Sequence, residues 1–142
     1  MALRRPILVA ALIAAAAIVA AAALGTTTRA RAAGLPGCVR PQARVVVPHG
    51  LAGFPLPRGA ILDRRVNRYG YTIVSGYVPG AINPVRDFFV GRLPDAGFRL
   101  GQGDAEAAEA EAAYIGHGVH GRWKVRAVAG CPGALTLQIA VR

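Results

Sequence analysis

From Ala60 to the C-terminus, apolar and polar residues follow strand-like alternation that gives way once to a helical period. Ile61 to Val66 and Tyr71 to Val78 read as two strands joined near Asn67 and Gly70. Asn83 and Pro84 then mark a helix start, with Asn as N-cap and Pro at the first helical position. Val85, Phe88, Phe89 and Leu93 follow at helical spacing and form one apolar stripe, which reads as core rather than as ligand contact. Pro94 is expected to end or kink this helix, and Gly97 is placed for a left-handed exit turn.

Phe98 to Leu100 opens a third strand. Ala110, Ala112 and Tyr114 alternate with Glu109, Glu111 and Ala113, which argues for a fourth strand in an alanine-rich stretch that is helix-permissive in isolation. The last two strands carry the clearest pattern. Val119, Gly121, Trp123, Val125 and Ala127 alternate with His120, Arg122, Lys124 and Arg126, and Leu135, Leu137, Ile139 and Val141 alternate with Thr136, Gln138, Ala140 and Arg142. Each strand has one oily and one polar face, as an antiparallel sheet covered on one side requires. The pattern predicts an α+β fold over residues 60–142: a single helix packed on one face of an antiparallel sheet, in the order ββαββββ.

The faces also predict a register. If Ile115 opposes His120, paired residue numbers sum to 235, so that Ala112 faces Trp123, Glu111 faces Lys124 and Glu109 faces Arg126. A slip by one residue would bury Glu111 against Trp123, which the period of two forbids. On the other flank, Arg126 is expected opposite Thr136, Lys124 opposite Gln138 and Arg122 opposite Ala140.

Upstream the pattern breaks down into punctuation. Residues 33–59 hold Pro36, Pro41, Pro48, Pro55 and Pro57, a density that blocks helix and discourages central strands. They read as an extended arm, with Arg44 to Val47 a candidate edge strand and Phe54 and Leu56 pinning the arm to the domain. Before it, Arg4 and Arg5 precede an unbroken apolar run from Ile7 to Leu24, and Ala30-Arg31-Ala32 matches a small-residue cleavage site, with Thr28-Arg29-Ala30 a second. Residues 1–32 are therefore a secretory signal peptide or, if uncleaved, a membrane anchor through residues 7–24. Both readings put the rest of the chain outside the cytoplasm, secreted or tethered.

Composition agrees with export. Hydrophobic residues make up 54% of the chain, which excludes wholesale disorder. The formal net charge is +10, and without Arg4, Arg5, Arg29 and Arg31 the remaining chain still carries 13 basic against 7 acidic residues. A single lysine, Lys124, among many arginines is usage associated with GC-rich bacterial genomes, so a bacterial envelope or culture medium is the expected destination.

Cys38 and Cys131 are the only cysteines, and in an oxidising compartment such a pair reads as a disulfide. Three other roles compete. Leu35-Pro36-Gly37-Cys38 has lipobox features, although Arg29 and Arg31 separate it from the apolar run and lipidation would strand Cys131. A redox pair prefers closer spacing, and a zinc site needs more ligands.

Phe54-Pro55-Leu56-Pro57, Val78-Pro79-Gly80, the stretch from Leu93 to Phe98 and Gly130-Cys131-Pro132 resemble small exported actinobacterial proteins of uncharacterised function, over about residues 50–142. The resemblance implies export and no particular activity, so it contributes no catalytic residue.

Candidate chemistry is sparse. Ser75 is the only serine, sits mid-strand and lacks a surrounding G-x-S-x-G. His117 and His120 are in a turn and a strand, not at metal-ligating spacing on a helix, and His49 is remote. Asp104, Glu106, Glu109 and Glu111 lack the calcium-loop pattern. No catalytic set, metal site or cofactor motif emerges. The feature of most interest is the basic stripe His120, Arg122, Lys124 and Arg126, whose side chains would stand about 7 Å apart on one face, a candidate anion-binding site. Nucleic acid is disfavoured because Trp123 points away and no aromatic interleaves the stripe. The register sets acids beside Lys124 and Arg126, leaving Arg122 and His120 as the members without an acid. The expectation is an exported, non-catalytic envelope or secreted domain acting by binding or structurally, with at most weak affinity for an anionic envelope component; the alternative is a small secreted enzyme with an unlocated site.

Overall fold

A computed structural model describes residues 34–142 apart from Ala43. The proposed signal or anchor over residues 1–32 lies outside the described residues, among which no helix is long and apolar enough to cross a membrane. Six strands and one helix follow the arm: β1 (Ile61–Arg68), β2 (Tyr71–Pro79), α1 (Ile82–Asp95), β3 (Arg99–Ala105), β4 (Glu109–Gly116), β5 (Val119–Ala127) and β6 (Ala134–Val141). The order ββαββββ and the α+β class are as the pattern predicts. All six strands lie in one antiparallel sheet ordered β1-β2-β6-β5-β4-β3.

The β4–β5 register is the predicted one, from Glu109 opposite Arg126 to Ile115 opposite His120. On the other flank β5 and β6 pair Arg126 with Thr136, Lys124 with Gln138 and Arg122 with Ala140, also as predicted. In both cases a slip would have turned the apolar set of a strand toward water.

One face of the sheet is the core. Val74, Val78, Trp123, Val125, Leu137 and Ile139 are almost completely enclosed there, together with Ile82, Val85, Phe89 and Leu93 from α1. Phe88, expected in the apolar stripe, is only partly buried at its margin. The Phe89 ring stacks on Trp123 with centroids 4.7 Å apart, and α1 spans β3, β4 and β5.

The helix ends differ in detail from the prediction. The N-cap is Ala81, with no side-chain cap, so Asn83 and Pro84 are the second and third helical residues. Proline is accepted there because the first N–H groups of a helix have no internal acceptor. At the other end Pro94 lies inside the last turn. Gly97, at φ 83°, makes the exit: Phe98 N–H donates to Leu93 O at 2.9 Å and Gly97 N–H to Pro94 O at 3.0 Å. That pair of bonds is a Schellman cap, and burial of both Phe98 and Leu93 completes it. The third strand runs on past Leu100 to Ala105, through an irregularity between Leu100 and Gly103.

The arm is an extended wrap around the β1 edge. Val39 packs with Cys131 and Ala134 at one end of the sheet, Val45 N–H donates to Leu62 O at 3.0 Å, and Leu51 and Phe54 end in the core. The Phe54 ring lies 5.0 Å from Tyr114 and 5.4 Å from Phe98, centroid to centroid. Arg44 to Val47 does not form the expected edge strand; the prolines either side leave this segment a single bond to β1. Cys38 and Cys131 are joined, with Cα atoms 5.8 Å apart. The bridge occupies the sulfur that lipidation would need and is consistent with an extracytoplasmic location.

Tyr114 is a long polar side chain led through the core. Its hydroxyl crosses β5 and donates to Ala140 O on β6 at 2.8 Å. Gly121 leaves the path open: a Cβ there would overlap the Ala140 carbonyl and lie 2.7 Å from the Tyr114 oxygen. Burial pushes the Tyr114 hydroxyl pKa well up, so it stays a donor.

A candidate binding groove on the open sheet face

Among the described residues, the sheet face opposite the helix is met by the arm alone, through Cys38 and Val39 at Cys131, Ala134 and Tyr77 and through Gln42 N–H, which donates to Asp63 Oδ2 at 2.9 Å. Alternation puts the polar members of β4, β5 and β6 on this face, the β1 bulge adds Arg64, and the register lines them up in rows across it. One row runs Arg64, Ser75, Gln138, Lys124, Glu111, Asp104. The next holds Ile61, Tyr77, Thr136, Arg126 and Glu109.

The stripe proposed from sequence sits in these rows on β5, but its charges are met. Lys124 Nζ lies 2.6 Å from Glu109 Oε1 and 3.3 Å from Glu111 Oε2. Arg126 Nε donates to Glu109 Oε2 at 2.6 Å. Arg122 is also paired, through Nη1 to Glu111 Oε1, which corrects the expectation that it lacks an acid. The direct register places Ala113 opposite Arg122, but a long guanidinium reaches the diagonal neighbour. His120 has no acid; its Nε2 accepts from Arg142 Nε at 2.7 Å. The stripe is thus a ladder of alternating charge, and its field on a polyanion is largely cancelled. Exposed pairs of this kind contribute little to stability, because solvent screens them.

The ladder has a pH signature. Hydrogen bonds from Lys124 first and Arg126 second hold the Glu109 carboxyl below the ordinary glutamate range. The bond to Glu109 likewise raises the Lys124 ammonium. A lowered carboxylate pKa contributes stability above the unfolded value, and that contribution is lost as pH falls through the folded value. A raised ammonium pKa contributes below its unfolded value and is lost as pH rises through the folded one. Thermal melts from neutral pH downward are therefore expected to show wild type and Glu109→Gln converging below about pH 4. Parallel melting curves down to pH 2 would show that the ladder has no such linkage.

Beside the ladder the face dips into a shallow groove of about 380 Å³. Arg64 and Asp63 stand on one bank, Lys124 and Arg126 on the other, and Ser75, Tyr77, Thr136 and Gln138 line the bed. Sequence reading missed Arg64 as a site residue because the bulge between Leu62 and Arg64 shifts β1 by one place against β2. That irregularity brings Arg64 opposite Ser75, onto the open face.

The groove contains Ser75 and the Asp63 carboxylate, but no hydrogen bond joins Ser75 to a base among the described residues, and Asp63 Oδ2 accepts from Gln42 N–H at 2.9 Å. Lys124 is two strands away, about 10 Å at ordinary strand spacing, and the shift on it favours the charged ammonium. The remaining candidates are separate. His117, at the turn between β4 and β5, donates from Nε2 to Ala96 O at 2.8 Å and packs edge-on to Phe98. Asp104 and Glu106 are exposed near the β3–β4 turn, and Asp104 accepts from Ala105 N–H. No group of three metal-ligating side chains occurs among the described residues. The chain matches no family model, and neither a curated protein nor a solved structure was found to be similar to it.

Proposed function

We propose that the protein is an exported, non-catalytic domain that acts at the cell envelope by binding a hydroxyl-rich, sparsely charged component in the open-face groove. The observation that carries this reading is the split between the banks. Arg64 has no carboxylate within ion-pair distance among the described residues, whereas Lys124 and Arg126 are neutralised by Glu109 and Glu111. Between them lie hydroxyl and amide groups able both to donate and to accept. One cation without an ion pair and one carboxylate, Asp63, beside neutral hydrogen-bonding groups suit a hydroxyl-rich, sparsely charged ligand such as a polyol phosphate or acidic glycan better than a dense polyanion.

The test is a titration of isotope-labelled residues 33–142 with short glycerol phosphate oligomers and, in parallel, with neutral glycan fragments, followed by amide chemical shifts. The expected result is saturable shifts at Ser75, Thr136 and Gln138, weakened about fivefold or more by Arg64→Gln. Shifts confined to other surfaces, or an Arg64→Gln variant that binds as wild type does, would overturn the assignment.

A further inference from the structure

Two hairpins in this fold turn through a residue pair of the same unusual kind. Tyr69 and Gly70 join β1 to β2 with φ of 51° and 76°, and His117 and Gly118 join β4 to β5 with φ of 51° and 75°. Both are two-residue turns with φ positive at both places, where Asn or Gly is favoured and a bulky residue is strained. The His117 side chain accounts for its position, since it bonds Ala96 O and packs on Phe98. Tyr69 has no comparable anchor on the core. It is 82% exposed at the apex of the hairpin, and its side-chain partner is its neighbour Arg68, which lies 4.9 Å over the ring and donates from Nη2 to the Tyr69 hydroxyl at 3.2 Å.

The surroundings of that apex are cationic. Arg65 and Arg68 lie on opposite faces of β1, and Arg142 reaches over the Tyr71 ring at 4.7 Å. None of these three has a carboxylate within 4.0 Å among the described residues; the ion pairs found there belong to Arg86, Arg92, Arg122, Lys124 and Arg126. Val66, 43% exposed, lies between Arg65 and Arg68. Charged side chains on an edge strand also deter sheet-to-sheet pairing, which accounts for the arginines but not for a strained aromatic at the tip.

The geometry points to the β1–β2 hairpin tip as a docking element for an anionic lipid surface. Its cations gather around the tip from both faces of the sheet and from the end of β6, none of them met by a carboxylate among the described residues, a charge that a layer of anionic headgroups complements. Tyrosine is enriched at the level of lipid headgroups, where its ring and hydroxyl are both accommodated. Val66 gives the tip an apolar flank that a bilayer interface covers and a soluble polyanion leaves wet. This surface is separate from the groove and stands whether or not the groove binds a glycan.

The experiment is co-sedimentation of residues 33–142 with vesicles of equal parts phosphatidylglycerol and phosphatidylcholine, against phosphatidylcholine alone. Binding is expected only to the anionic vesicles, falling with salt and falling about fivefold for each of Arg65→Gln and Arg68→Gln. Tyr69→Asn carries the decisive readout. Asparagine suits the turn, so this variant is expected to melt a few degrees higher while binding several-fold more weakly, a divergence that a purely structural tyrosine would not produce. Equal binding to neutral vesicles, or a Tyr69→Asn variant that binds undiminished, would overturn the proposal. So would inorganic polyphosphate that binds wild type and Tyr69→Asn alike and displaces both from vesicles, since the ligand would then be a soluble polyanion.

Discussion

Phe89→Ala is expected to lower the unfolding free energy by about 3–5 kcal/mol, and Trp123→Ala by a similar amount. Both side chains are essentially inaccessible to solvent, and they stack on each other where α1 meets the sheet. Truncating either removes the burial of a large ring and leaves a cavity that the rigid strands beneath cannot close. Phe89 also touches Phe54 and Phe88, so its loss loosens the arm as well as the helix. A domain of this size has only about 5–15 kcal/mol in total, so either variant is expected to unfold at markedly lower denaturant with little change in slope. The two substitutions share a contact and are expected to add incompletely in the double variant. Trp123→Phe should be far milder, because the buried Trp123 Nε1–H has no acceptor among the described residues and phenylalanine keeps most of the ring's burial while removing that donor. A loss below about 1 kcal/mol for either alanine variant would contradict the placement of these rings in the core.

The second large effect concerns the bridge. Cys38 and Cys131 are 93 residues apart in the chain, so closing the loop restricts the unfolded ensemble strongly. In the chain-entropy description a loop of that size is worth about 4–5 kcal/mol. Cys38→Ser with Cys131→Ser is expected to lose most of this, and reduction of the wild type to reproduce it. Urea titrations of both, with and without reductant, read the difference directly. Reductant-insensitive stability in the wild type, or two thiols that label without reductant, would be incompatible with the bridge.

The legibility of the sheet in the sequence has a simple origin. Strands covered on one side must alternate, so β5 and β6 announce both themselves and their faces, and pairing apolar with apolar leaves one register. Where the physics is not periodic the reading fails. The bulge beside Asp63 follows from no local residue pattern, and it alone brings Arg64 to the open face. Direct opposition sets Arg122 against Ala113, and only the diagonal reach of its guanidinium, which no period in the sequence marks, brings it to Glu111. Leu51, among the most deeply enclosed side chains, lies in a proline-punctuated arm where no period marks a buried position. The helix start slipped by two residues because Ile82 is drawn into the core, and that burial outweighs a better cap at Asn83.

The place of β6 in the sheet has a temporal consequence. It is the last of the six described strands in chain order yet lies between β2 and β5, pairing with both. Until residues 134–141 arrive, β1–β2 and β3–β4–β5 are two separate small sheets, each with an exposed edge and half a core. Small isolated hairpins are marginal in water, and pairings distant in sequence form late. A chain that emerges N-terminus first, from a ribosome or through a translocation channel, therefore stays threadable over most of its length. Consolidation waits for the final strand to be inserted like a keystone.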